Sequence, residues 1–408
     1  MVGAIQSANG RGVAIDGTTL FDTQLTIQWT ADVPEPFKLL LSPELVRCAG
    51  LHFSKVLPTF ARRRFESLAL DGFDGLEMKA RAMQIASALQ ATLPADFPTA
   101  AAAIEATLMP IKGDETLKDL RASDRGLAGW IVWSLGEFVA RQGLEHPDRA
   151  LACLHAITQR FSAEFAIRPF ILAHPQRSFE TLARWASDPS PHVRRLVSEG
   201  SRPRLPWGIV LKPLVADPAP SLPLLAALQD DTSDYVRRSV ANHLNDIAKD
   251  HPGVVAAWLE EHLPTASSNR RALLRHASRT LIKRGDRRVL AVWGIDAPFK
   301  GNANLIVDPP QIVLGQSVQL RLNLHSTAKT PLTLSIDYIV HHVRADGSSS
   351  PKVFKGWTLQ LAPGEHRELI RQHPVRPITT RRYYAGMHRI DIQANGSVIA
   401  SGLFELLG

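Results

Sequence analysis

The sequence predicts a multidomain α and β protein: an N-terminal all-α solenoid of HEAT-like helical repeats followed by an all-β immunoglobulin-like sandwich. Three observations carry this. At 408 residues the chain exceeds the usual size of a single core. An eight-residue pattern recurs at an offset of 43 positions, from Asp188 to Asp231. Near Pro298-Phe299 the apolar spacing changes from helical to alternating.

The helical part is expected over residues 35–297. Met78, Ala82, Ile85 and Leu89 recur at helical spacing, as do apolar residues from Leu117 to Ala140, with Pro, Asp-Pro and Gly as interruptions. Residues 1–34 show no sustained period and are expected to form a flexible extension, the fold beginning near Pro36-Phe37. The repeat itself matches Asp188-Pro189-Ser190-Pro191-His192-Val193-Arg194-Arg195 with Asp231-Thr232-Ser233-Asp234-Tyr235-Val236-Arg237-Arg238. A weaker third copy begins at Asn269-Arg270-Arg271 and includes Arg275-His276. Stacked helix pairs of this kind build a curved surface suited to a long partner.

Wheel geometry assigns faces at about 100° per residue. Val193, Leu196, Val197 and Gly200 fall on one side of their helix, Arg195 and Glu199 on the other. In the next repeat Val236, Val240, His243 and Ile247 are expected inside, and Asn242 and Asp246 at the far edge, open to solvent or ligand.

Residues 298–408 read as strands. Val318, Leu320, Leu322 and Leu324 alternate, then Leu332, Leu334, Ile336 and Tyr338, with Asp346-Gly347, Pro363-Gly364 and Asn395-Gly396 as turns. Short alternating strands over some hundred residues imply a sandwich, here without the cysteine pair of antibody domains.

Composition narrows the function. The net charge is +8, and residues 191–290 hold 16 Lys and Arg against 10 Asp and Glu, so most of the excess sits on the repeats. That distribution fits a surface tracking DNA phosphates, although solvated arginine-rich helices read the same way. Cys48 and Cys153 lack partners at metal-ligand spacing and are expected to be buried thiols, so neither a metal nor another cofactor is expected. Neither a membrane-length apolar run nor a signal-peptide pattern occurs, and a cytoplasmic monomer with no membrane partner is expected.

Acidic residues inside the basic region are more informative. Glu199 lies one turn from Arg195 and Asp246 one turn from Asn242. A carboxylate facing DNA weakens binding, which points to a task other than affinity. The plainer alternative is an i,i+4 pair of Arg195 with Glu199, worth a few tenths of a kcal/mol, ~0.3. Trp207, after the Pro-rich break Arg202-Pro203-Arg204-Leu205-Pro206, either stacks on a sugar or base or caps the helix pair as core. In the sandwich Arg381, Arg382, Tyr383 and Tyr384 form a basic and aromatic set that either enters a minor groove or belongs to a domain that only covers the end of the solenoid.

Six blocks then carry a family resemblance: Pro36-Phe37-Lys38 through Arg47, Leu70-Asp71-Gly72-Phe73 through Arg81, Gly129-Trp130 with Phe138-Val139, Phe165-Ala166-Ile167-Arg168-Pro169-Phe170, Arg194-Arg195 through Ser198-Glu199-Gly200-Ser201-Arg202 to Trp207, and Tyr235-Val236-Arg237-Arg238 through Asn242-His243-Leu244-Asn245-Asp246. In order and spacing they resemble the AlkC branch of the AlkD-like DNA glycosylases. The resemblance implies removal of cationic methylated bases, 3-methyladenine, 3-methylcytosine and 1-methyladenine, from double-stranded DNA without base flipping. It places Glu164, Glu199, Asp246 and Trp207 at catalytic positions, and Arg195 and Arg202 on the DNA backbone. Arg204, Arg238, Asn242, Arg381 and Arg382 complete the expected DNA-binding set. Residues 1–34 match no part of the family, whose C-terminal domain is variable. Against this stand two readings without catalysis, a helical-repeat scaffold and a structure-specific DNA-binding protein.

Overall fold

The computed structural model describes residues 36–111, 119–378 and 381–408; the expected extension over 1–34 lies outside them. Among the described residues, sixteen α-helices run from Pro43 to Val292 and eight strands from Gly301 to Leu406. Local chemistry starts many of the helices. Pro43, Pro147, Pro175, Pro191 and Pro252 each stand first in their helix, where a missing N–H costs no hydrogen bond. Ser42 and Asp96 cap their helices by accepting from Leu45 N and Thr99 N.

The internal repeat is a repeated set of bonds. Asp188 Oδ1 accepts from Ser190 N at 2.8 Å, and Asp231 Oδ1 from Ser233 N at 2.8 Å. Arg194 donates to the carbonyl of Asp188 at 2.7 Å, and Arg237 to that of Asp231 at 2.6 Å. Each Asp thus shapes the turn into its helix, and each Arg reaches back to the same turn. Arg194 also donates to both oxygens of Asp231, joining one copy to the next. Between them the Pro191–Gly200 and Asp234–Asp250 helices pack through Val193, Leu196, Val197, Val236 and Val240, all fully buried. Gly200 permits close approach to the preceding turn: a Cβ there would lie 2.6 Å from Ile167 Cγ2.

Two expectations change. Of the helical period read from Leu117 to Ala140, Leu117 and Lys118 lie outside the described residues, and among those described the helix begins at Ile131. Residues 120–130 instead form a folded loop, bridged through Leu108 and Leu127 and turned at Gly126 and Gly129 with φ of 150° and 74°; Leu120 and Ala128 bury themselves against Met109. Cys153 is fully buried, whereas Cys48 is only half-buried, and both are free thiols.

The strands are β1 (Gly301–Asp308), β2 (Gln311–Ile312), β3 (Ser317–Ser326), β4 (Leu332–Val343), β5 (Ser349–Leu361), β6 (His366–Pro374), β7 (Gly386–Ala394) and β8 (Ser397–Leu406). They form sheets ordered β1-β3-β6 and β2-β8-β7-β4-β5, all antiparallel except β2 with β8. Every predicted inward residue of β3 and β4 is buried. Asn395-Gly396 makes the tight β7 to β8 turn with φ of 48° and 82°. Asp346-Gly347 turns β4 into β5, and Pro363-Gly364 carries the chain from one sheet to the other.

The Asn395-Gly396 turn also meets the helices. Asn395 Nδ2 donates to Ala297 O at 2.8 Å, and a Cβ on Gly285 would lie 2.7 Å from Gly396 Cα, so only glycines allow the contact.

Candidate active site

The cleft is assembled from the start of the Ile131–Gln142 helix and the turn before it, the segment 161–165, the Pro191–Gly200 helix, the loop 201–211 and the start of the Asp234–Asp250 helix. It encloses about 330 Å³ and is lined by Trp133, Glu164, Arg195, Glu199, Arg202, Trp207 and Tyr235 among others. Its apolar wall is aromatic. The Trp133 and Trp207 rings lie nearly parallel, 6° apart with centroids 6.2 Å apart, and Phe165 packs on Trp133 at 4.9 Å. Phe37 stands edge-on to Trp130 at 4.7 Å and 5.9 Å from Trp207.

Trp207 is not a core cap. It is 59% exposed, and its φ of 66° is a left-handed conformation that a bulky residue adopts only when its surroundings impose it. Arg168 supplies the constraint. Fully buried, its guanidinium donates to the carbonyls of Gly200 and Arg202 at 2.8 Å, of Pro203 at 3.4 Å and of Ile209 at 2.5 and 2.7 Å. Both ends of the Trp207 loop are therefore tied to one side chain, and Leu211 N to Pro203 O closes the loop at 3.0 Å. Burial and the Arg202 cation pull the Arg168 pKa down to about 10, so it remains a cation at neutral pH.

Behind the aromatic wall the charges alternate along a chain. Glu164 pairs with Arg195, and Arg195 lies 3.7 Å from Glu199. Glu199 takes a 2.6 Å bond from Arg202, Arg202 a 2.8 Å contact with Asp246, and Asp246 one of 2.8 Å with Lys249. Ser239 donates to the second oxygen of Glu199 at 2.7 Å, and Ser162 to Glu164 at 2.5 Å. Burial works against the Glu199 charge, but Arg195, Arg202 and the Ser239 bond outweigh it and hold the carboxyl below its ordinary range. Glu199 is thus held ionised at neutral pH.

The helical wheel erred on two of these. Glu199 and Asp246 were expected on open faces; they are 6% and 2% exposed. Each wheel sees one helix, whereas Arg202 reaches from the following loop and covers both carboxylates. Glu164, Glu199, Arg195, Arg202 and Trp207 come together in the cleft, while Asp246 sits behind Arg202 and does not line it. Arg202, expected on the DNA backbone, is 8% exposed and turned inward between two carboxylates. Arg204 lies outside, bidentate to Asp250, and Arg238 pairs with Asp234. Asn242 accepts from His276 and Arg279. Arg381 and Arg382 lie between β6 and β7, Arg382 over the Tyr384 ring at 5.5 Å.

Sequence reasoning assigned no role to Arg168, Trp133, Ser239 or Tyr235, although Arg168, Tyr235 and Ser239 fall within the blocks that carry the resemblance. Arg195 packs over the Tyr235 ring at 4.9 Å, and burial pushes the Tyr235 hydroxyl up to about 12, so it stays neutral. Tyr235 occupies the position of His192 in the earlier copy, directly before the Val-Arg-Arg that both copies share, and that exchange of a ring for a ring was the available signal.

A larger cavity of about 580 Å³ lies elsewhere, lined by Ile171, Leu172, Phe179, Leu211 and Leu214 with Asp217 as its one charged residue. It lacks the converging polar groups of a reactive site. Among the described residues no group of three or more His, Cys, Asp and Glu is placed to hold a metal ion, and no helix is long and apolar enough to cross a membrane.

Comparison with known proteins agrees with this architecture. Residues 302–408 match the family described as the C-terminal Ig-like domain of the uncharacterised protein YhaZ. YhaZ of Bacillus subtilis is 34% identical over 382 residues, covering 92% of this chain and 99% of its own. The Pseudomonas fluorescens alkylpurine DNA glycosylase AlkC, solved bound to DNA containing an abasic-site analog, superposes with a TM-score of 0.83 at 35% identity, covering 91% of this chain and all of its own. With both halves of the chain matched in one alignment, and the charged aromatic cleft built from the blocks that carry the likeness, this protein belongs to the AlkC family, with YhaZ as a further relative.

Proposed function

We propose that the protein is a monofunctional DNA glycosylase that hydrolyses the N-glycosidic bond of cationic N-alkylated bases, 3-methyladenine, 3-methylcytosine and 1-methyladenine, in double-stranded DNA. The observation that carries this reading is the placement of two ion-paired carboxylates, Glu164 and Glu199, in a cleft walled by an exposed tryptophan. The similarity to an alkylpurine DNA glycosylase supports it.

The chemistry follows from the leaving group. A base that already carries positive charge departs as a neutral molecule, so no general acid is needed. The demand falls on the sugar, which gains oxocarbenium character as the bond breaks. Glu199 presents fixed negative charge toward that cation and can accept a proton from the attacking water; Asp246 adds its charge from behind Arg202. Trp207 packs on the deoxyribose. The open cleft favours action without flipping the nucleotide into an enclosed pocket. With no lysine among its lining residues, the expected product is an abasic site rather than a cleaved strand.

Release of free base from duplexes carrying one defined lesion tests this. Cationic lesions, 7-methylguanine included, leave; uracil and hypoxanthine stay, and EDTA changes nothing. Efficient uracil excision, or activity lost with chelator, overturns the mechanism. One feature favours a non-catalytic DNA-binding protein or scaffold instead: Glu164, Glu199 and Asp246 are each already ion-paired, as in a purely structural network. Tight DNA binding with no base release from any cationic lesion would establish that alternative.

A further inference from the structure

We infer that Arg279, His276 and Asn242 form a phosphodiester-binding site beside the carboxylate chain, at which the helical face grips one DNA strand. The inference rests on the DNA-binding part of the function proposed above.

Charge accounting leads to it. Each arginine of the repeats that was expected to bind DNA is engaged by a carboxylate: Arg195 by Glu164, Arg202 by Glu199 and Asp246, Arg204 by Asp250, Arg238 by Asp234. A phosphate must displace or share those partners. Arg279 differs. Half-buried beside the same helix, its guanidinium meets only neutral acceptors, the His276 carbonyl at 2.8 Å and Asn242 Oδ1 at 3.3 Å. Burial lowers its pKa, while Asp246 and Arg202 lie near enough to act on it, which places this cation next to the end of the carboxylate chain.

The neighbours complete a donor set. Arginine can only donate, so the Asn242 atom facing Arg279 is its oxygen. His276 Nε2 lies 2.9 Å from that oxygen and is therefore the protonated nitrogen. Among the described residues Asn242 has no acceptor for either amide hydrogen, and His276 is left with Nδ1 as its titrating atom. The charged groups facing His276 are Arg279 and Arg238, with Asp234 and Arg237 lining the same cleft of about 200 Å³. Burial and the two arginines keep His276 below its ordinary range, hence neutral. A bound phosphodiester reverses that balance, so His276 takes up a proton on binding and presents Nδ1–H to a phosphate oxygen.

Salt and pH titrations of duplex binding by fluorescence anisotropy test the site, using undamaged DNA and DNA with an abasic-site analog. Arg279→Gln should weaken binding to both about tenfold and lower the slope of log K against log salt by about 0.9, one phosphate contact. Arg279→Lys should restore the slope, and Arg149→Gln, far from the site and paired with Glu105, should leave slope and affinity alone. Wild-type affinity should rise from pH ~8 to ~5.5, and His276→Gln should flatten that rise. An unchanged slope in Arg279→Gln with an intact melting curve overturns the inference, as does inorganic phosphate, matched in ionic strength, shifting the His276 NMR resonance as fully as DNA does. If the wild-type protein binds no DNA at all, the functional reading falls instead.

Discussion

The helical cleft and the sandwich treat buried polar groups in opposite ways. In the cleft, Glu164, Arg195, Glu199, Arg202 and Asp246 form a continuous run of ion pairs, each within reach of the opposite sign. In the sandwich, His342, His373 and His388 are at most 3% exposed and cluster around Tyr383 and Phe354, with both His342 nitrogens, His373 Nε2 and His388 Nδ1 lacking a hydrogen bond. Burial, with Arg381 close by, lowers His342 to about 3 and His373 to about 4, so these rings stay inside by remaining neutral. Burial of a polar group therefore does not by itself mark a site. Ionised pairs cost desolvation that replacement by apolar residues would avoid, so their retention points to a use for the charge.

The largest effect expected from breaking that contrast lies in the carboxylates. Glu199→Gln and Asp246→Asn should each lower single-turnover base release at least about tenfold, ~1.4 kcal/mol in the barrier. Because each variant leaves Arg202 short of one partner, thermal melts should also show a loss of about 1–3 kcal/mol. Full activity in both would remove them from the mechanism, and unchanged melts would mean that the ion pairs do not hold the loop.

Arg168→Met comes next. It strands the carbonyls of Gly200, Arg202 and Ile209 in the interior, and should cost about 2 kcal/mol or more and raise quenching of tryptophan fluorescence as the Trp207 loop loosens. Wild-type melting would show that the loop stands without its clamp.

Acid should then separate the two halves. A histidine whose folded pKa is depressed contributes stability that is complete above its unfolded value, about 6.5, and drains as pH falls through that value toward about 3 or 4. The sandwich holds three such rings, all buried, against two in the helices, the buried His243, lowered to about 4, and the more exposed His276. Proteolysis at falling pH should therefore cut within 301–408 before it cuts the helices. Simultaneous cleavage would make the histidine contrast irrelevant to stability.

The smallest effect belongs to the sandwich surface. Replacing Arg381 and Arg382 together by alanine should weaken duplex binding a few-fold, with a shallower salt dependence. Unchanged binding would leave the sandwich the covering role.

Much of the fold was legible because it depends on local order. Asp188 and Asp231 shape turns within two residues of themselves, Asn395-Gly396 makes a turn of its own backbone, and Val318 to Leu324 bury one face because side chains alternate along a strand. The site was legible as a list, since Glu164, Glu199 and Trp207 do meet in one cleft. Its geometry was not. Arg202 and Asp246 lie 44 positions apart, Arg168 and Ile209 lie 41, and no helical period encodes either contact.

By itself, the sequence determined the helical repeat, the change to alternating strands near residue 298 and the residue types of a charged cleft with a loop tryptophan. Tertiary structure alone decided that Glu199 and Asp246 are buried, that Arg202 faces them and that Arg279 is left with neutral partners. The physical reason is that turn and face preferences arise from a residue's own neighbours in the chain. Whether a charge is paired, covered or free depends instead on which distant segment packs over it.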